Sequence, residues 1–263
     1  MLFQDQLRVT MRGIFRCVFL AIVVASVNPT VGQDGYGSVA GQVVFEGMIP
    51  QPRVIARQGS GPVPEEPTED VFDESLLIDS KSKGVANVFV WPVKVPSIHP
   101  RFDEREPQSA RMTFDGRRVE PRCLLLETGQ ELRFHSNPGS MSTAYLRTLF
   151  NQGWHVAVPG NKEEGVSLPP FQRQEQHPIR LTSNLQPWLE GWIKLSDHPY
   201  AALSDHDGRF QINWLPAGNY EFMVWHERAG YLARRLPVTV RDRKITRIDE
   251  LTITRKDAAL QQR

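Results

Sequence analysis

The sequence predicts an all-β fold, and three observations support this prediction. Several segments alternate apolar and polar residues with the period of two that is typical of a half-buried strand. Few segments show the longer period of an amphipathic helix. The 263 residues include 20 prolines and 19 glycines, which indicate many turns. Short strands separated by frequent turns are typical of a β-sandwich or a barrel.

The predicted strands follow one another along most of the chain. They cover residues 38–45, 84–91, 123–126, 131–134, 190–195, 209–213, 220–225, 236–240 and 248–253. A turn at residues 128–130 separates two of them, and Asp207-Gly208 is a tight-turn pair. The residues around this pair lack the bidentate glutamate of a calcium loop, so we interpret them as a hairpin turn. We expect exposed loops at residues 51–74 and 96–108.

The N-terminus has the three parts of a secretory signal peptide. Arg8, Arg12 and Arg16 precede an apolar run at residues 17–27, and small residues follow this run. The run is shorter than the roughly 20 residues that span a bilayer, so a permanent anchor is the less favoured alternative. We therefore expect residues 1–32 to be cleaved and the mature protein to be secreted or periplasmic, with no stable membrane insertion.

The cysteine and charge content argues against an internal disulfide and against nucleic acid as a partner. Removal of the signal takes away Cys17 and leaves Cys123 as the sole cysteine, so no internal disulfide is expected. Cys123 precedes three leucines and is interpreted as a buried strand residue. The 31 basic and 30 acidic residues give a formal net charge of +1, so no net field would attract nucleic acid.

Enzymatic motifs are absent from the sequence. It contains no Gly-x-Ser-x-Gly, no phosphate-binding Gly-Lys-Ser/Thr loop and no dinucleotide-binding fingerprint. No pair of histidines has the spacing of a helix-borne zinc site. The adjacent Glu163 and Glu164 would point to opposite faces of any strand, which does not suit paired acid–base catalysis. We therefore predict no catalytic residue.

Both ends of the chain resemble one domain family. Residues 203–222 contain the Asp-Gly turn, the strand Arg-Phe-Gln-Ile-Asn and the turn Leu-Pro-Ala-Gly-Asn, and the stretch Gly-Ser-Val-Ala-Gly-Gln-Val begins at Gly37. These stretches are similar to the carboxypeptidase regulatory-like domain, a small transthyretin-like β-sandwich. The resemblance implies one sandwich built from both chain ends, at residues 37–95 and 198–255, with a second domain inserted. Residues 256–263 would then be a frayed tail.

The inserted region carries a second resemblance. It is seen in residues 120–138 and in Pro187-Trp188, and it continues after the inserted region in His198-Pro199-Tyr200, Asp207-Gly208 and Trp225-His226-Glu227. These stretches resemble a group of secreted bacterial proteins that pair a cupredoxin, the blue-copper fold, with a carboxypeptidase regulatory-like domain. The resemblance implies a cupredoxin-like Greek-key domain at residues 110–197.

The sequence departs from that group at all four expected copper-ligand positions. Met141 stands for the first histidine, Ser183 for the cysteine, Gln186 for the second histidine and Leu189 for the methionine. Blue-copper sites need two imidazoles and a thiolate, with a weak axial thioether. We therefore expect the copper site to be lost and no cofactor to be bound. Ser183 and Gln186 should instead satisfy nearby backbone groups, while Leu189 fills apolar volume.

A second set of residues is a candidate binding site: Trp188, His198, Tyr200, Trp225, His226 and Glu227. One interpretation is a polar ligand site whose aromatic faces stack on a sugar. The interpretation that we favour is an interface between the two domains, with imidazole and carboxylate groups hydrogen-bonded across it.

These observations leave three functional hypotheses. The leading one is a non-enzymatic extracytoplasmic binding or scaffold protein with a protein or glycan partner. The first alternative is a copper-binding electron-transfer protein with non-standard ligands, namely Met141, His135 and Cys123. The second alternative is a carbohydrate-binding or polysaccharide-acting protein, by analogy with the accessory domains of such enzymes.

Overall fold

The computed structural model describes residues 35–59, 67, 69–105 and 108–259. Within these residues the regular secondary structure is almost entirely β, with one 3-10 turn and one short helix. The predicted all-β class is therefore confirmed. No helix in the described ranges is both long and apolar enough to cross a membrane. The expected signal peptide lies outside the described residues.

The described residues form nineteen strands. In chain order, β1 to β10 are Tyr36–Glu46, Val54–Ala56, Val71–Phe72, Phe89–Pro92, Ala110–Phe114, Val119–Glu120, Cys123–Glu127, Leu132–Ser136, Met141–Leu146 and Trp154–Pro159. The strands β11 to β19 are Val166–Leu168, Ile179–Thr182, Glu190–Ser196, Ala202–Leu203, Arg209–Pro216, Gly218–His226, Gly230–Val240, Ile245–Arg247 and Leu251–Thr254. The 3-10 turn is Pro100–Phe102 and the helix α1 is Arg255–Ala259.

The first sandwich draws its strands from both ends of the described chain. One sheet has the order β15-β1-β18, with β19 also pairing with β1, and the other has the order β14-β4-β16-β17. Val39 and Val43 of β1 are fully buried, because alternate residues of a strand point to the same face. Together with Phe222 and Ile253 they belong to the first hydrophobic core.

The second sandwich is built from the middle of the chain. Its two sheets have the orders β10-β9-β12-β13-β7 and β11-β8-β5-β6. Strands β7 and β13 pair in parallel, and so do β5 and β8, so neighbours in the sheet are not neighbours in the sequence. Phe114, Phe134 and Leu181 are buried in the second core between these sheets.

A third, smaller hydrophobic cluster lies where the two sandwiches meet. Phe89, Trp91 and Trp225 come from the first sandwich, and Cys123 comes from the second. The centroid of the Trp225 ring is 4.7 Å from that of Trp192, which lies on β13. Cys123 is a buried strand residue, as predicted. The two sandwiches are therefore joined by packed aromatic side chains as well as by the chain itself.

Two predicted turns are present, but the strands on either side of each turn belong to different sheets. Gly208 has a φ of +75°, and Asp205 Oδ1 accepts hydrogen bonds from the backbone N–H groups of Asp207 and Arg209. The flanking strands β14 and β15 nevertheless belong to separate sheets, as do β7 and β8 around residues 128–130. The predicted hairpin at Asp207-Gly208 is therefore wrong as a strand pairing. A turn sets the direction of the chain, but the packing of the core decides which strand becomes the partner.

Three predicted segments differ in detail. The strand expected at residues 248–253 begins only at Leu251, as β19, and the one expected at residues 84–91 is regular only from Phe89. The expected frayed tail is wrong for residues 256–259. These residues belong to α1, where Ala258 is buried in the first core and Asp257 accepts a hydrogen bond from the Thr254 N–H at 2.9 Å.

Candidate functional site

The four positions at which the resemblance implied copper ligands lie together with Thr143 in one cluster, here called the loop cluster: Met141, Thr143, Ser183, Gln186 and Leu189. Residues 183–189 connect β12 to β13 and lie beside the start of β9. Two backbone hydrogen bonds close this loop, from Ser183 N–H to the Leu189 carbonyl at 3.3 Å and from Leu189 N–H to the Gln186 carbonyl at 2.9 Å.

The polar side chains of the loop cluster satisfy one another and the backbone. Ser183 Oγ donates to Gln186 Oε1 at 3.1 Å and accepts from the backbone N–H groups of Gln186 at 3.2 Å and Thr143 at 3.4 Å. Gln186 Nε2 donates to the Met141 carbonyl at 3.0 Å. Leu189 is fully buried in the second core. The roles predicted for Ser183, Gln186 and Leu189 are confirmed.

The donor atoms of the loop cluster do not fit a blue-copper ion. The hydroxyl of Ser183 and the amide oxygen of Gln186 are hard donors that already take part in hydrogen bonds, and Leu189 offers no donor. Met141 contributes the only sulfur in the cluster, and its side chain is 45% exposed. Across the described ranges, no three His, Cys, Asp or Glu side chains gather as potential metal ligands.

The alternative ligand set of Met141, His135 and Cys123 is divided, because Met141 belongs to the loop cluster and Cys123 does not. Cys123 lies in the aromatic cluster between the sandwiches, where burial, together with the charge of Glu227, raises the pKa of its thiol well above the usual value. A protonated thiol is a poor metal ligand. His135 is nearly buried on β8, and burial lowers its pKa, as do the charges of Arg111 and Arg133.

A buried ion pair, here called the interface pair, joins Arg122 of the second sandwich to Glu227 of the first. Arg122 Nε and Nη2 donate to the two carboxylate oxygens at 2.6 and 2.7 Å. Trp192 Nε1 donates to the same carboxylate at 3.1 Å. Burial raises the pKa of Glu227, and the hydrogen bonds and charge of Arg122 offset part of that rise. A carboxylate therefore joins the two sandwiches, but its partners are a guanidinium and an indole, whereas the favoured interpretation expected an imidazole beside the carboxylate.

Two other candidate binding residues lie next to the interface pair. Trp225 is almost buried and packs against Phe89 and Trp192. His226 is fully buried, and burial lowers its pKa to about 3, with the charges of Arg122 and Arg228 adding to the effect. Its ring is therefore neutral in the folded protein at physiological pH.

The remaining candidate residues lie in two other places. His198 Nδ1 accepts a hydrogen bond from the Tyr200 N–H at 3.2 Å, and the Tyr200 hydroxyl accepts one from the His99 N–H at 2.8 Å. Burial lowers the pKa of His198. Trp188 packs against the second core, and its Nε1 donates to the Gly116 carbonyl at 2.9 Å. The six candidate residues therefore do not line one common site.

Sequence reasoning missed three residues that matter at the boundary between the sandwiches: Arg122, Trp192 and Lys194. Lys194 is only 1% exposed, although its side chain carries an amine, and it stands between the buried residues Ile193 and Leu195. A lysine between Ile193 and Leu195 was the signal that could have drawn attention to it. Arg122 carried no comparable signal, because Glu227 is 105 residues away in the sequence.

No protein-family model matches this sequence, and neither does any curated protein sequence. Several solved structures are similar to part of the chain. A purple cupredoxin from Nitrosopumilus maritimus has 10% identity and a TM-score of 0.27, covering 34% of this chain and 100% of its own.

Two further similar structures are also copper proteins by name. A Cu(I) amicyanin mutant has 11% identity and a TM-score of 0.28, covering 41% of this chain and 98% of its own. The copper-containing nitrite reductase from Thermus scotoductus has 16% identity and a TM-score of 0.26, and the match covers 40% of this chain and 25% of the reductase chain. Each match covers less than half of this chain, so none shows the family to which the whole chain belongs.

Proposed function

We propose that this chain is a non-enzymatic extracytoplasmic binding or scaffold protein, built on a cupredoxin-like frame that has lost its copper site. The observation that carries the proposal is the self-contained hydrogen bonding of the loop cluster. Each polar side-chain atom of Ser183 and Gln186 has a partner within the protein. Such a loop acts as a rigid packed element and leaves no set of soft donors for a redox metal.

The proposal includes an organisation into two domains. Residues 110–197 are the cupredoxin-like domain, and residues 37–95 with 198–255 form the carboxypeptidase regulatory-like sandwich. Support comes from the cores: the buried residues of the second core all lie between Ala110 and Leu195, and those of the first core lie on either side of that range. Secretion rests on the sequence pattern of residues 1–32.

Copper titration of the mature chain tests the loss of the metal site. We expect neither an intense thiolate-to-copper absorption band nor a rise in melting temperature on addition of Cu(II) or Cu(I). The control is the Cys123→Ser variant, which should behave in the same way. A strong blue or yellow band in the unaltered chain that disappears in Cys123→Ser would overturn the proposal.

Rebuilding the ligand set tests the cupredoxin-like frame. The combined substitutions Met141→His, Ser183→Cys, Gln186→His and Leu189→Met place imidazole and sulfur donors on the loop cluster. We expect this variant to gain a charge-transfer band with Cu(II), because the four positions already lie together. The matched control carries the other three substitutions but keeps Ser183, and it should show no thiolate band. A folded fourfold variant without any band would contradict the cupredoxin-like geometry.

A further inference from the structure

An open cleft of about 810 Å³ runs along the boundary between the two sandwiches. Its walls come from three parts of the chain: the segment after β4 together with β17 on one side, and residues 172–177 on the other. Trp91, Phe150, Lys194, Asp197 and Met223 also line it. The volume is within the range of about 300–1,000 Å³ that is typical of ligand pockets.

The wall formed by residues 172–177 is held rigidly by a buried carboxylate. Glu175 is 1% exposed and accepts hydrogen bonds from the backbone N–H groups of Leu149, Phe150 and Asn151 at 2.9–3.2 Å. Asn151 Oδ1 in turn accepts from the backbone N–H of Arg173 at 3.1 Å. The exposed Phe150 and Arg173 therefore project from a backbone that is already ordered, which reduces the entropy lost on binding.

The opposite wall is connected to the first across the cleft. His177 Nδ1 and the Tyr231 hydroxyl lie 2.6 Å apart, and the Arg234 guanidinium stacks over the Tyr231 ring at 3.8 Å. Lys194 Nζ lies 4.7 Å from the centroid of the Trp91 ring and donates to the backbone carbonyls of Glu175 and Leu195. One face of each of the Trp91 and Tyr231 rings is thus already covered by a cation.

Positive charge dominates the cleft. Lys94, Arg173, Lys194, Arg234 and Arg235 line it, against the two carboxylates of Glu175 and Asp197. The Glu175 carboxylate is occupied by amides, and Asp197 Oδ2 accepts from Gln174 Nε2 at 3.1 Å. Within the described part of the chain, Lys94, Arg173 and Arg234 form no ion pair, whereas Arg235 lies 3.5 Å from Glu221. Three exposed cations are therefore available to an anionic ligand.

We propose that this cleft binds a segment of an acidic oligosaccharide, whose carboxylate or sulfate groups pair with Arg173, Arg234 and Lys94. The proposal rests on the binding function proposed above and names its ligand class. The side chains of Gln174 and Gln176 supply amide groups that suit sugar hydroxyls. The Phe150 ring is 48% exposed and offers an apolar face to the carbon skeleton of a sugar.

The same geometry disfavours single-stranded nucleic acid. Sequence-independent binding of single strands uses aromatic faces on which successive bases stack. Of the aromatic rings of Trp91, Tyr231 and Phe150 that line the cleft, the first two have Lys194 and Arg234 over one face, which leaves Phe150 as the exposed ring. A saccharide needs only one exposed ring and a surround of cations and amides, and that is what Phe150 and its neighbours provide.

Calorimetric titration of the mature chain tests the proposal with an oligogalacturonate hexamer, a chondroitin sulfate hexamer and neutral maltohexaose. We expect one or both acidic probes to bind with an affinity that weakens as salt rises, and maltohexaose not to bind.

Arg173→Ala and Arg234→Ala should each weaken binding about tenfold. Phe150→Ala should weaken saccharide binding severalfold without changing the response to inorganic sulfate. The matched control Lys81→Ala/Arg243→Ala removes two exposed cations elsewhere and should leave affinity unchanged.

The comparison between the two acidic probes identifies whether carboxylate or sulfate is preferred. Absence of binding to both probes, or binding that the Arg173 and Arg234 substitutions do not weaken, would overturn the proposal. Equal affinity for a single-stranded DNA oligonucleotide of the same charge, with the same loss in Phe150→Ala, would overturn the saccharide assignment. None of these results would decide the proposed function, which is tested separately by the copper titration and by the rebuilt ligand set.

Discussion

The loop cluster and the interface pair are both buried polar groups, but they differ in charge and in what they connect. Ser183 and Gln186 are neutral, and their hydrogen bonds stay within the second sandwich. Arg122 and Glu227 are charged, and their two hydrogen bonds join one sandwich to the other. Each group is fully paired, as burial requires.

The difference shows how burial restricts sequence change. A neutral hydroxyl or amide loses modest hydration on burial, so one such group can replace another within a loop at limited cost. An ion loses much more, and its partner compensates only while both members are present. The loop cluster is therefore expected to tolerate the exchange of one neutral side chain for another, whereas the interface pair is expected to tolerate change only when both members change together.

The largest expected effect is the loss of one member of the interface pair. Arg122→Ala should lower the free energy of unfolding by about 3–5 kcal/mol, because Glu227 would remain buried without its cation. Urea unfolding measures the change. The double variant Arg122→Leu/Glu227→Leu should recover much of the loss, since neither charge is then left alone.

A surface ion pair is the control for this comparison. Arg117 and Glu69 are 2.8 Å apart, with side chains 51% and 69% exposed. Arg117→Ala should change the stability by no more than about 1 kcal/mol. If Arg122→Ala lowered the stability by no more than Arg117→Ala does, the buried interface pair would contribute no more to stability than an exposed ion pair.

The next effect is a loss of stability in acid at the boundary between the sandwiches. His226 has a pKa of about 3 in the fold, against about 6.5 in an unfolded chain. Its contribution to stability is complete above about pH 6.5 and is lost as the pH falls towards 3, because the unfolded chain binds the proton that the fold excludes. The loss should approach about 1.4 kcal/mol per pH unit.

Unfolding curves at pH 7, 6, 5 and 4 for the unaltered chain and for His226→Gln isolate this contribution. The variant lacks the titrating ring, so its stability should fall less steeply over this range. The His135→Gln variant is the matched control. Its stability should depend on pH more like that of the unaltered chain than the stability of His226→Gln does. Parallel profiles for the unaltered chain and His226→Gln would show that His226 does not exclude the proton.

Among the buried groups, the smallest effect is expected in the loop cluster. Gln186→Ala leaves the Met141 carbonyl and the Ser183 hydroxyl each without one partner, so a loss of about 1–3 kcal/mol is expected. Ser183→Cys replaces the hydroxyl with a thiol, which is a weak donor of similar size. It should therefore lower the stability less than Gln186→Ala does. Thermal unfolding of both variants measures the difference. A loss for Gln186→Ala larger than that for Arg122→Ala would reverse the ranking of the two regions.

Local features of the fold could be predicted from the sequence with fair success. The strand at residues 38–45 is β1, and that at residues 190–195 is β13, because alternation of apolar residues reports directly on a half-buried strand. The packing of Ser183, Gln186 and Leu189 could be predicted because their chemistry allowed little else. The tight turn before Gly208 was also foreseen, but not the change of sheet that follows it.

The amino-acid sequence by itself determined the β-structure, the turns and the chemical character of the loop cluster, since these depend on residues close together in the chain. Only the tertiary structure decided that Arg122 meets Glu227 and that the cations of three separate segments face one cleft. Those contacts depend on how strands far apart in sequence pack against shared cores. That packing is a property of the whole fold, and no short stretch of residues encodes it.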